Sequence, residues 1–139
     1  MILDSQTLFS NAQAITADAG STNQIDLSPR ATGVTRSIGA GNQVPIMIQV
    51  VETFNNLTSL AVSLQVDEDS AFGSPTTVAT TAAIPLASLV AGYLFNLDYI
   101  PRGTNERYVR LYYDVTGTAP TAGKITAGIS LSGPQTNNG

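Results

Sequence analysis

The chain has 139 residues, the length of one ordinary domain, and 42% of them are hydrophobic, so a packed core can form without staples. It contains no cysteine and no histidine, which excludes disulfides, thiolate metal sites, cysteine nucleophiles and a Ser-His-Asp triad. Charged residues make up only 12%, against about 25% in an ordinary soluble domain, and the net charge is −4.

That balance argues against general nucleic-acid binding, which needs clustered Lys and Arg. Threonine, serine, asparagine, glutamine and glycine take the place of charges. A surface largely covered by partners would look like this, because interface centres are depleted in charge. An extracellular or merely Thr-rich β domain would look the same.

The first twenty residues, MILDSQTLFSNAQAITADAG, do not read as a signal peptide: no basic region precedes the apolar positions, and Asp4 interrupts them. No stretch approaches the roughly 20 apolar residues of a membrane span. Residues 1–9 read as a short N-terminal arm whose Leu3, Leu8 and Phe9 would dock on a neighbour, followed by a strand near Leu8–Thr16. The alternative is an edge strand of the protein's own sheet. Gln24–Ser28 is a brief alternating strand stopped by Pro29.

Residues 29–43 form the most loop-like part, with Gly33, Gly39 and Gly41 supplying backbone freedom. Gly39-Ala40-Gly41 is no dinucleotide fingerprint, because a strand rather than a helix follows. In Val44–Glu52, Val44, Ile46, Ile48 and Val50 share one face, while Met47 and Val51 make the other face partly apolar. Phe54–Leu57 reads as a hairpin connection to Thr58–Asp67, where Leu60, Val62, Leu64 and Val66 point inward. The acidic run Asp67-Glu68-Asp69-Ser70 lacks a calcium-loop pattern and reads as a solvated turn. Asn56-Leu57-Thr58 matches a glycosylation sequon without a secretory context.

Thr76–Thr81 is a β-branched strand. Ile84–Gly92 fits one or two helical turns, with Pro85 at the start, Gly92 as the C-terminal cap, and Leu86, Leu89 and Val90 packed over one end of the molecule. Leu94–Ile100 returns to strand with Phe95, Leu97 and Tyr99 on one face, and Pro101-Arg102-Gly103 makes a tight turn. Lys124–Leu131 is the last strand, and residues 132–139 are a polar tail.

Between these lies PRGTNERYVRLYYDV, Pro101–Val115, which holds three of the six basic residues. Alternation puts Val109, Leu111, Tyr113 and Val115 on one face and Glu106, Tyr108, Arg110, Tyr112 and Asp114 on the other. Arg and Tyr lead the list of interface hot spots, so Arg102, Arg107, Tyr108, Arg110 and Tyr112 are candidates for partner contact. Cross-strand packing on the protein's own sheet is the competing account. Asp98 and Glu106 are the least implausible carboxylate pair for glycosidase-like chemistry, but either can equally pair with an arginine. Seven or eight short strands without a long helix give an all-β, single-domain antiparallel β-sandwich over residues 1–139, of jelly-roll type.

LDSQTLFSNAQAIT, the T-x-x-IDL at Thr22–Leu27, IPLASLVAGY, PRGTNERYVRLYY and AGKITAGI together resemble the capsid cement (decoration) proteins of short-tailed bacteriophages. The similarity runs over nearly the whole chain, and PRGTNERYVRLYY is its most distinctive piece. The resemblance implies a jelly-roll domain without enzymatic activity, cofactor or metal. It would be a homodimer on the outer surface of the virion, made in the host cytoplasm, bridging major capsid protein subunits and bracing the shell. It would touch neither nucleic acid nor membrane. A non-catalytic binding module of a tail or receptor-recognition apparatus is the alternative.

Overall fold

The computed structural model describes residues 3–28, 37–41 and 43–130. The loop at residues 29–36 and the tail at 132–139 thus lie outside the described residues. Among the described residues nine strands and one 3₁₀ turn succeed one another: β1 (Leu3–Ala14), β2 (Ala19–Gly20), β3 (Ile25–Asp26), β4 (Ile46–Glu52), β5 (Leu57–Asp67), β6 (Thr76–Thr80), β7 (Ile84–Pro85), the turn Leu86–Ser88, β8 (Tyr108–Gly117) and β9 (Lys124–Ser130).

All pairings are antiparallel. One sheet runs β1-β9-β4, and the other β2-β8-β5-β6, with β3 beside β8 and β7 beside β5. Residues 93–100 extend the first sheet past β4, through bridges from Leu94 to Gln49 and from Tyr99 to Pro45. With β2 and β3 as one position, the first sheet takes the first, eighth, third and sixth positions along the chain. The second takes the second, seventh, fourth and fifth. That order is the jelly roll: successive positions alternate between two sheets, so every sheet neighbour except the β5–β6 hairpin is distant in sequence.

The core lies between the sheets because each strand presents a period-two apolar face. Phe9, Ile46, Ile48, Val50, Ile125 and Ala127 come from the first sheet; Leu60, Val62, Leu64, Val66, Val109, Leu111 and Tyr113 come from the second. The inward faces expected for β5 and β8 are the observed ones.

Four expectations change. The N-terminal segment is not an arm: β1 is an edge strand on β9, and Phe9 is fully buried. Its pairing slips three times against β9, which hides the period of two from the sequence. Phe54–Leu57 is not a hairpin, since it carries the chain from one sheet to the other. There Asn56 takes a φ of 65° and Asn55 holds the N–H groups of Thr121 and Ala122. Ile84–Gly92 contains a single 3₁₀ turn, which buries Leu89 but leaves Val90 48% exposed. Along 94–100 one extra residue stands opposite β4, so alternation flips: Phe95 and Ile100 are buried, whereas Tyr99 is 40% exposed.

The burial pattern carries two consequences for stability. Leu111 is fully buried, so Leu111→Ala lowers unfolding free energy by about 2–5 kcal/mol, read from the denaturant midpoint. Deleting residues 1–9 removes Phe9 and much of β1, so soluble protein is lost. A truncated chain with unchanged midpoint would show that β1 is dispensable.

Candidate interaction face

The outward face of the second sheet is built by β8 and β5. Their register sets Tyr108 beside Asp67, Arg110 beside Gln65, Tyr112 beside Ser63 and Asp114 beside Ala61. Arg110 is the centre. Its Nε donates to Gln65 Oε1 at 3.0 Å, and its guanidinium carbon stands 4.1 Å from the Phe72 ring centre and 5.6 Å from that of Tyr112. On its other side lies Gly20 of β2, where a Cβ would come within 3.1 Å of the guanidinium. Arginine suits this slot because its planar cation stacks on a ring while its edge hydrogen-bonds. Burial draws its pKa below the ordinary value against the pull of Tyr112 and Asp67, yet an arginine so placed stays charged at neutral pH.

Phe72 reaches this site through the acidic turn. Asp67 accepts from the N–H groups of Asp69 and Ser74, Asp69 Oδ1 accepts from Ala71 N–H, and Phe72 N–H donates to the Asp69 carbonyl. Phe72 itself sits at φ 51° and is 6% exposed. The run is therefore a folded bracket that lays a phenyl ring under Arg110, rather than only a solvated turn. Nothing in the alternation of β5 or β8 points to Phe72. The one available signal was a large aromatic stranded among Asp, Ser, Ala and Gly.

Arg107 is also engaged within the chain. Its Nε and Nη2 grip both carboxylate oxygens of Asp26 at 2.8 Å, which fastens β3 to the start of β8, and its guanidinium lies 4.8 Å from the Tyr108 ring centre. The Asp26 carboxylate raises the Arg107 pKa. Tyr108 and Tyr112 are half-buried, while Arg102 is exposed on the turn before β8. That turn is a firm platform: buried Thr104 donates its hydroxyl to the Pro101 carbonyl, and Gly39 comes so close to Pro101 that no side chain fits there.

The candidates thus separate. Arg107, Tyr108, Arg110 and Tyr112 lie together on one face, and Arg102 is exposed on the turn before β8. Leu8 and Leu3 lie on the other sheet, half-buried, Leu8 packed over Gly128. Phe9 faces the core and, fully buried, is a packing residue rather than a contact residue. The competing account of β8 holds for Arg107 and Arg110 to the extent that their own chain already stacks and pairs with them.

Other chemistry is sparse. No group of three or more Asp or Glu converges as a metal site among the described residues. Asp98 runs beside β4 and Glu106 leads into β8, on different sheets. A shallow depression lined by Ala17, Asp18, Val115, Gly117 and Ala119 has its carboxylate occupied, since Asp18 accepts from Val115 N–H at 2.8 Å.

Removing either partner of the stacked pair tests its weight. Phe72→Ala and Arg110→Ala each destabilise the fold, and a double-mutant cycle returns a coupling of about 0.5–2 kcal/mol. A coupling near zero would mean that the ring and the cation share space without attraction.

Acid should loosen the same bracket. Asp67 is held below its ordinary pKa first by the N–H groups of Asp69 and Ser74, and Glu52 first by Lys124, whose ammonium stands 2.7 Å away. A carboxylate whose folded value is depressed stabilises fully above its unfolded value and loses that contribution as pH falls through the folded one. The denaturant midpoint is therefore flat above about pH 5 and drops below about pH 4, and Asp67→Asn removes part of the drop.

The sequence model of the Bbp16 family matches residues 9–129, from β1 to β9. No curated protein matches the chain. The match spans both sheets and the whole of the Arg–Tyr face, and the chain belongs to the Bbp16 family.

Proposed function

We propose that the protein is a structural virion component that decorates an icosahedral phage capsid as a homodimer and stabilises it by bridging major capsid protein subunits. The observation that carries the reading is the pre-assembled outer face of the second sheet. Arg110 is clamped between Phe72, Gln65 and Gly20, and Arg107 between Asp26 and Tyr108. Side chains already immobilised lose little entropy on binding, so a face of this kind converts contact area into affinity efficiently. Tyr and Arg are the residue types that dominate such contacts. A chain with only 12% charged residues has few charges to desolvate when its surface is covered over a wide area. The resemblance of PRGTNERYVRLYY and the flanking segments to cement proteins supplies the partner.

On this reading the outer surface of the virion is where the protein resides, and its contribution is mechanical. A rigid jelly roll seated across a subunit boundary resists the separation of its two neighbours.

Co-sedimentation with assembled heads is the direct test. Purified protein binds heads in near-stoichiometric amounts, and heads lacking it break at lower temperature or milder osmotic shock. Tyr112→Ala keeps the fold and weakens head binding by about 2 kcal/mol, roughly thirtyfold, the loss typical of a hot spot. Protein that ignores heads but binds host cells or glycans belongs instead to a receptor-recognition apparatus.

A further inference from the structure

The cations of this chain differ in whether a carboxylate answers them. Arg107 holds both oxygens of Asp26, and Lys124 stands 2.7 Å from the Glu52 carboxylate, so each has a counter-charge within its own chain. Arg110, in the middle of the second sheet's outer face, forms no ion pair with any described carboxylate. The carboxylate whose field reaches it, Asp67, is committed elsewhere: Oδ1 accepts from Asp69 N–H and Oδ2 from Ser74 N–H.

Arg110 is nevertheless fixed in place. Its Nε donates to Gln65, Phe72 lies 4.1 Å from its guanidinium carbon, and a Cβ at Gly20 would come within 3.1 Å of Nη1. The bond to Gln65 uses the Nε donor alone. The donors on Nη1 and Nη2 meet no acceptor among the described residues. No buried polar side-chain atom there lacks a partner, so these two groups open to solvent. Burial outweighs the pull of Asp67 and lowers the pKa of the group, the mark of a cation partly stripped of water without full compensation.

We propose that Arg110 offers its two Nη groups as a fixed fork to a carboxylate on the partner's surface, with Phe72, Gln65 and Gly20 as positioning residues. A guanidinium fork matches a carboxylate in plane and spacing, and the paired bonds are charge-assisted. A fork already immobilised loses little side-chain entropy when those bonds form. The acceptor is a carboxylate rather than a phosphate because Asp67, Glu68 and Asp69 lie in the bracket that carries Phe72, and they repel a dianion more strongly than a single charge. Tyr108 and Tyr112 stand on either side of Arg110 along β8, where covering them shuts water out of the ion pair and strengthens it.

This site deepens the proposed function and rests on it for the identity of the partner, so two measurements keep them apart. In guanidinium NMR of the full chain, with acetate as the probe, the Arg110 Nη signals shift at a lower concentration than those of exposed Arg102. Sodium chloride at equal ionic strength leaves them in place. Gly20→Ala crowds Nη1 and shrinks that difference. With assembled heads, Arg110→Lys keeps the charge but not the fork, so it weakens binding at least about tenfold with the β-sheet circular dichroism retained. Should that variant fail to fold, the acetate titration of the wild-type chain still decides. An equal response of Arg110 and Arg102 to acetate overturns the proposal, as does a stronger response of Arg110 to inorganic phosphate. A lysine variant that binds heads as tightly as the wild type overturns it too and leaves the capsid role standing. A chain that takes acetate at Arg110 but ignores heads upholds the carboxylate site and overturns the capsid role instead.

Discussion

One buried hydrogen bond joins the two sheets through the middle of an otherwise apolar core. The Tyr113 phenol of β8 and the Ser10 hydroxyl of β1 approach to 2.7 Å, and Ser10 donates onward to Gln13 Oε1 at 2.7 Å. A serine has one proton to give, so Tyr113 must be the donor to Ser10. Gln13 completes the chain by accepting from Thr22 N–H and donating to the Gly20 carbonyl. Burial pushes the Tyr113 phenol well above its ordinary pKa, which favours the protonated donor.

That network sets the position of Gly20, and with it the Arg110 slot. Gln13 on β1 holds the Gly20 carbonyl, Gly20 leaves room for the guanidinium, and Arg110 is then pressed onto Phe72. The candidate contact face on the outside of one sheet is thus braced through the core by the edge strand of the other. A low-dielectric interior strengthens each of these bonds and penalises the loss of any one of them.

Period two was strong in β5 and β8, where every second residue from Leu60 to Val66 and from Val109 to Tyr113 is apolar, and both strands and their inward faces were legible. The outward ladder Tyr108, Arg110, Tyr112 was legible for the same reason. Phe9 was not, because the bulges of β1 break the alternation that would have marked it as core. Phe72 was missed because its placement depends on the hydrogen bonds of Asp67 and Asp69, which no periodicity records. Whether Arg107 and Arg110 meet their own chain was undecidable without the register that puts Asp26 and Gln65 beside them. Long-range pairing, which sets that register, is the part of a jelly roll that local sequence leaves open.

The place of β1 also orders events in time. Its sheet partner is β9, with Leu3 opposite Ser130, so the two strands that close the first sheet lie more than a hundred residues apart. Until β9 has been synthesised, β1 has no ladder to join, and nothing in its own sheet holds Phe9, Ser10 and Gln13 in place. The core bridge and the slot for Arg110 therefore form late, in one closing step that joins the ends of the fold. Chains caught before that step expose an apolar edge, and they are the species from which this protein would aggregate during rapid synthesis.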